Sequence, residues 1–138
     1  MRVLAWNRTP KAHPGVDFVP RDRLLAESDV VSLHLLLTDA TRGFLSAARI
    51  AAMKPGAMLI NTARGAVLDE AALVEALRTG HVARAGLDVF TVEPLPADHP
   101  LASLPNVTLS AHSAFRTPEA SDNLIGAALA HCRRIAAG

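Results

Sequence analysis

The segment DVVSLHLLL, residues 29–37, is almost unbroken in its apolarity. A strand with one wet face alternates polar and apolar side chains. An uninterrupted run belongs to a strand covered on both faces, as in a parallel sheet flanked by helices. Its surroundings agree. RVLAWN (2–7) reads as a strand and TPKAHPG after it as a loop. VDFV (16–19) is a brief strand, and Pro20 is placed to open a helix through PRDRLLAES. SAARIAAM (46–53) has helical periodicity and is stopped by Pro55 and Gly56. AMLINTA (57–63) is the next strand. Asp69 is placed to N-cap EAALVEALRTG, with Gly80 at its C-cap. ARAGLDVF (83–90) and NVTLSA (106–111) are strands joined by a proline-rich loop. A last helix runs from Thr117 through RRIAA to residue 137. Strand–helix alternation of this kind predicts an α/β fold with a parallel, doubly wound sheet and right-handed crossovers.

Composition narrows the function classes. The 138 residues give room for one domain. Half are apolar and mean hydropathy is +0.23, which argues for a packed core. Aromatics are only 4%, so that core is aliphatic. A net charge of +1 offers no basic field for nucleic acid and no polybasic membrane patch. Cys132 is the single cysteine, which excludes an internal disulfide and fits a reducing, cytoplasmic setting. The six histidines show no metal-ligand spacing, so no metal site is expected. The short VLAW run is neither signal peptide nor membrane span.

In parallel sheets ligands bind beyond the carboxyl ends of the strands. The residues there are Asn7 and Arg8, Leu36 and Thr38, Thr62 and Arg64, Asp88 and Glu93, and His112. An arginine, a carboxylate and a histidine at consecutive strand ends have a joint chemical logic. Histidine passes protons near neutral pH. A carboxylate beside it orients the ring and favours the imidazolium. A guanidinium offers a fixed fork for a substrate carboxylate. Singly, each has a plainer reading. Arg64 would pair with Asp69 or Glu70, Glu93 would be solvated, His112 would be structural, and Asp88 would cap a turn.

The stretches KPGAMLINTARG, LDVFTVEP and LSAHSAF, with the text between them, resemble the D-isomer-specific 2-hydroxyacid dehydrogenases over almost the whole chain. The resemblance implies a Rossmann-like domain and hydride transfer between NAD(P)H and a 2-keto acid. It implies that Arg64 holds the substrate carboxylate and carbonyl, that His112 gives the proton, and that Glu93 tunes His112. It implies that Asp88 meets the nicotinamide carboxamide and that Thr62, Leu35 and Leu36 line the cofactor. Relatives are commonly dimers, so a homodimer of the full-length form is an expectation.

Three departures matter. Leu36 stands where the family usually has a proline. Asn7, Arg8 and Thr9 replace an acidic residue that binds the ribose 2′-hydroxyl, which favours NADP over NAD. No GxGxxG occurs: the glycines, from Gly15 to Gly138, are scattered. RVLAWN then corresponds to the second Rossmann strand, and the first strand, glycine loop and first helix are missing. The substrate domain is missing too, and Met1 reads as an internal methionine of a longer frame, whereas RRIAAG reads as a natural finish. Two groups of strands with bare edges are expected, in a chain that is poorly stable, prone to associate or rearranged. The leading reading is a cofactor-side fragment of an enzyme. The alternative is a truncated, non-catalytic dinucleotide-binding module, akin to the dehydrogenase-like corepressors that HSAF also resembles. A methyltransferase Rossmann domain would leave the Arg–Glu–His set unexplained.

Overall fold

The computed structural model describes residues 1–9 and 11–136; the expected last residue of the final helix, 137, lies outside them, as do Pro10 and Gly138. In chain order the elements are β1 (Leu4–Ala5), β2 (Asp17–Phe18), α1 (Arg21–Glu27), β3 (Val30–Leu33), α2 (Ala47–Ala51), β4 (Ala57–Asn61), α3 (Glu70–Arg78), β5 (Val82–Leu87), β6 (Val107–Leu109) and α4 (Pro118–Ala136). Short 3-10 turns occupy Gly65–Val67 and Pro100–Ser103. Every strand pair is parallel. The pairing forms two sheets, β1-β2 and β3-β4-β5-β6. The α/β class and the division into two strand groups are therefore as expected.

The run at 29–37 is corrected in two ways. Its strand is shorter, ending at Leu33. Beyond it Thr41 gathers the chain into a loop: its hydroxyl donates to Leu36 O at 2.6 Å and accepts from Thr38 N at 2.8 Å. The strand is also covered on one face only. Val31 and Leu33 are buried, whereas Val30 is 47% exposed. Its register partner Met58 is 39% exposed on the same face. Helices α2 and α3 pack together, and α3 packs on β5. No residue of α4 is buried. The second helical layer of a doubly wound sheet is thus not formed among the described residues.

The core gathers between the sheet and α2–α3. Leu45, Leu59, Val67, Leu73 and Val82 are fully buried there, each worth about 1.5–3 kcal/mol over an exposed position. Local signals act as read. Asp69 accepts from Ala72 N at 3.0 Å to cap α3, and Gly80 ends that helix with φ of 75°. β1 and β2 contribute nothing to this core. A stack of Trp6 on Phe44, with ring centroids 5.1 Å apart, joins the smaller sheet to the loop after β3.

Candidate active site

The parallel register brings the carboxyl ends of β3 to β6 to one edge. The first corner follows β4. Asn61 closes that strand and is fully buried, a position that leaves an amide either paired or costly. It is paired at both ends. Its Oδ1 accepts from Ala63 N, and its Nδ2 donates to Arg64 O, both at 3.1 Å. These bonds fold the chain so that Arg64 stands exposed at the tip. Its guanidinium donates to Ala63 O at 2.6 Å. No carboxylate among the described residues pairs with it. Asp69 is occupied by its helix, and Glu70 accepts from Thr91 N at 2.6 Å. The plainer reading of Arg64 as a helix-entry ion pair is therefore wrong.

The second corner lies between β5 and β6. Asp88 is 3% exposed, and the chain after β6 wraps around it. Its carbonyl accepts from His112 N at 2.8 Å. Its Oδ1 accepts from Ser113 N at 2.8 Å and from the Ser110 hydroxyl. Its Oδ2 accepts from Ala114 N at 2.9 Å. This wrapping holds His112 at φ of 48°, a left-handed backbone that costs a non-glycine residue of order 1–3 kcal/mol. The result is aim. His112 Nδ1 meets Glu93 Oε2 at 2.8 Å, and Glu93 Oε1 accepts from Phe90 N at 3.0 Å. Glu93 is thus fixed rather than merely solvated. Both side chains line an open cleft of about 650 Å³ whose other walls include Phe90, Leu95 and Leu109.

Both carboxyls ionise below their ordinary values. For Asp88 burial acts upward, and the hydrogen bonds from Ser110, Ala114 and Ser113, with the charge of His112, outweigh it. For Glu93 the His112 hydrogen bond lowers it most, followed by the Phe90 amide; burial opposes, and His112 and Arg64 charges assist. A carboxyl lowered by folding contributes stability above its ordinary value, here 3.8 for Asp88, and loses it as pH falls through the folded value. Asp88→Asn places an amide N–H₂ where one oxygen now accepts. We expect a loss of about 1–3 kcal/mol at neutral pH in denaturant titrations. The gap between wild type and variant should close in acid, where the wild-type carboxyl is protonated too. A gap that stays constant with pH would contradict the assignment.

Thr62 and Leu36 are exposed at the same edge, and Leu35 is half-buried. Asn7 and Arg8 are exposed in the loop that follows β1, apart from the bonded cluster of β4 to β6. Sequence reasoning missed Asn61, Gly65 and Thr41, which shape the site through the backbone, and Ser110, whose hydroxyl donates to Asp88. A polar residue closing an apolar strand was the available signal for Asn61. Among the described residues no set of His, Cys, Asp and Glu is placed to hold a metal, and no helix is long and apolar enough to cross a membrane.

Comparison with known proteins fits this geometry. The family model for the D-isomer specific 2-hydroxyacid dehydrogenase, NAD binding domain, matches residues 1–114. A glyoxylate reductase of Korarchaeum cryptofilum is 49% identical over 105 residues, covering 76% of this chain and 32% of that protein. The chain therefore spans about a third of such a relative. A D-isomer specific 2-hydroxyacid dehydrogenase from Xanthobacter autotrophicus Py2, solved with NADPH and MES, superposes with a TM-score of 0.79 at 49% identity, covering 80% of this chain and 36% of that one. The NAD-complexed enzyme of Lactobacillus delbrueckii ssp. bulgaricus gives 0.91 at 33% identity, covering 99% and 46%. With the model matching most of its length, the chain belongs to the D-isomer specific 2-hydroxyacid dehydrogenase family, in its NAD-binding domain.

Proposed function

We propose that this chain carries the proton-transfer and carboxylate-binding groups of a reductase that interconverts a 2-keto acid and a 2-hydroxy acid with NAD(P)H. The observation that carries the reading is the 2.8 Å His112–Glu93 pair, with an Arg64 that pairs with no carboxylate among the described residues. Glu93 holds Nδ1, which leaves Nε2 as the nitrogen that serves the substrate. Glu93 fixes the ring through Nδ1, so His112 is the group placed to give a proton to the alkoxide. Arg64 binds the substrate carboxylate as a fork and polarises the carbonyl next to it.

The residues present fit the nicotinamide end of a dinucleotide. Asp88 Oδ1 already takes two donors, whereas Oδ2 takes one and keeps a lone pair for a carboxamide N–H. Thr62, Leu35 and Leu36 would line the ring side, and Asn7 and Arg8 the adenosine side. The bound cofactor supplies the hydride. A glycine-rich pyrophosphate turn is not among these 138 residues. Arg8, with no acidic residue beside it, favours a ribose 2′-phosphate and hence NADPH.

The test is oxidation of NADPH and NADH by glyoxylate, hydroxypyruvate and other 2-keto acids, using the protein from its native source. We expect turnover, with NADPH preferred by about tenfold, the worth of one modest ionic contact. Tight dinucleotide binding without oxidation by any 2-keto acid would replace this reading with a corepressor-like one.

A further inference from the structure

We propose that Glu70 is a positioning residue that sets the spacing between Arg64 and the Glu93–His112 pair; this rests on the functional reading above. Glu70 is the first residue of α3, where a carboxylate is ordinarily explained by the positive end of the helix dipole. Its geometry says otherwise. Asp69 already caps the helix through Ala72 N. Glu70 instead reaches away from its own helix to Thr91 N at 2.6 Å. Its side chain is only 15% exposed, and His99 Nε2 lies 3.9 Å from its other oxygen. His99 is itself turned by the Leu101 amide, which donates to its Nδ1.

The bond matters because of where Thr91 sits. Two successive amides are each held by a carboxylate: Phe90 N by Glu93, and Thr91 N by Glu70. The same Phe90–Thr91 peptide lies against Gly65, so closely that a Cβ there would fall 1.9 Å from Phe90 C. Gly65 adjoins Arg64. One peptide is therefore pressed by the residue beside the arginine, tied to α3 by Glu70, and joined to the carboxylate that aims His112. Releasing Glu70 frees the 90–93 segment to drift from the Arg64 turn. Both groups remain present but no longer address one substrate together.

Two conservative variants separate reach from charge. Glu70→Gln keeps an acceptor at the same reach and removes the charge. Glu70→Asp keeps the charge at the helix start and falls one methylene short of Thr91. In the native-source protein, Glu70→Asp should lower kcat with the 2-keto acid about 10- to 100-fold, as misplacement of this order does, with KM for NAD(P)H unchanged. Glu70→Gln should stay within about threefold of wild type. In the 138-residue chain, Thr91 amide exchange should speed up in Glu70→Asp and not in Glu70→Gln. The reverse ranking of the two variants would assign Glu70 to the helix dipole and overturn the proposal. So would unaltered Thr91 exchange in Glu70→Asp. If wild type has no keto-acid turnover, the functional reading fails by itself. The exchange data, with the imidazole ¹⁵N shifts of His112, then still decide whether Glu70 positions the pair.

Discussion

Gly65→Ala is expected to lose about 3 kcal/mol of folding stability, the upper end for an overpacked site, and to disable the site with it. The added Cβ would lie 1.9 Å from Phe90 C, 2.2 Å from Phe90 O and 2.3 Å from Thr91 N. These are backbone atoms, so no side-chain rotation relieves the contact. The segment they belong to is tied by the Phe90 and Thr91 amides to Glu93 and Glu70. The chain must either shift the Arg64 turn or break those bonds. Turnover should fall by about 100-fold from misalignment alone. Gly126→Ala is the control: nothing lies within 4 Å of its added Cβ, and an exposed helical glycine gains about 0.5–1 kcal/mol on becoming alanine. Chemical denaturation of both variants checks the pair. Equal midpoints would mean that the close approach at Gly65 is absent in solution.

Arg64→Ala should show the opposite balance. Its guanidinium is exposed and pairs with no carboxylate among the described residues, so stability should change by no more than about 0.5 kcal/mol. Turnover of a 2-keto acid should fall about 10²–10³-fold, the scale for losing a donor that meets developing charge. NAD(P)H affinity, measured by fluorescence titration, should stay within about threefold. Arg64→Lys should not restore the rate, because an ammonium is a point charge and not a fork. Undiminished turnover in Arg64→Ala would remove the residue from the chemistry. Taken together, the two variants separate the glycine that builds the corner from the arginine that uses it.

Much of this was legible in the residues. Strand–helix alternation identified the fold class because a buried parallel strand and an amphipathic helix differ in period. Asp69 and Gly80 were readable because capping is local. The strand-end residues Arg64, Glu93 and His112 were readable because parallel topology forces strand ends to one edge. The rest depends on contacts far apart in sequence. Nothing near Gly65 announces that Phe90 will press on it. The wrapping of residues 110–114 around Asp88 follows from tertiary closure, as does the left-handed backbone at His112. The apolar run at 29–37 misled in one respect. It records the cover such a strand is suited to, and among the described residues only the Val31–Leu33 face has it.

The break between the two sheets also divides the molecule as a folding system. The four-stranded sheet owns the aliphatic core, whereas β1 and β2 supply no member of it. The ribbon is tied to the rest by the Trp6–Phe44 stack and by an exposed ion pair of Arg2 with Glu27 of α1, contacts that are weak by nature. Two cooperative units of unequal opening free energy are the expected result in amide exchange. The groups assigned to proton transfer and carboxylate binding ride on the stronger unit, and those assigned to the adenosine end ride on the weaker. The Trp6–Phe44 stack is an aromatic contact between them, so a change at Phe44 is expected to loosen the residues proposed for the adenosine end and to spare Arg64, Glu93 and His112.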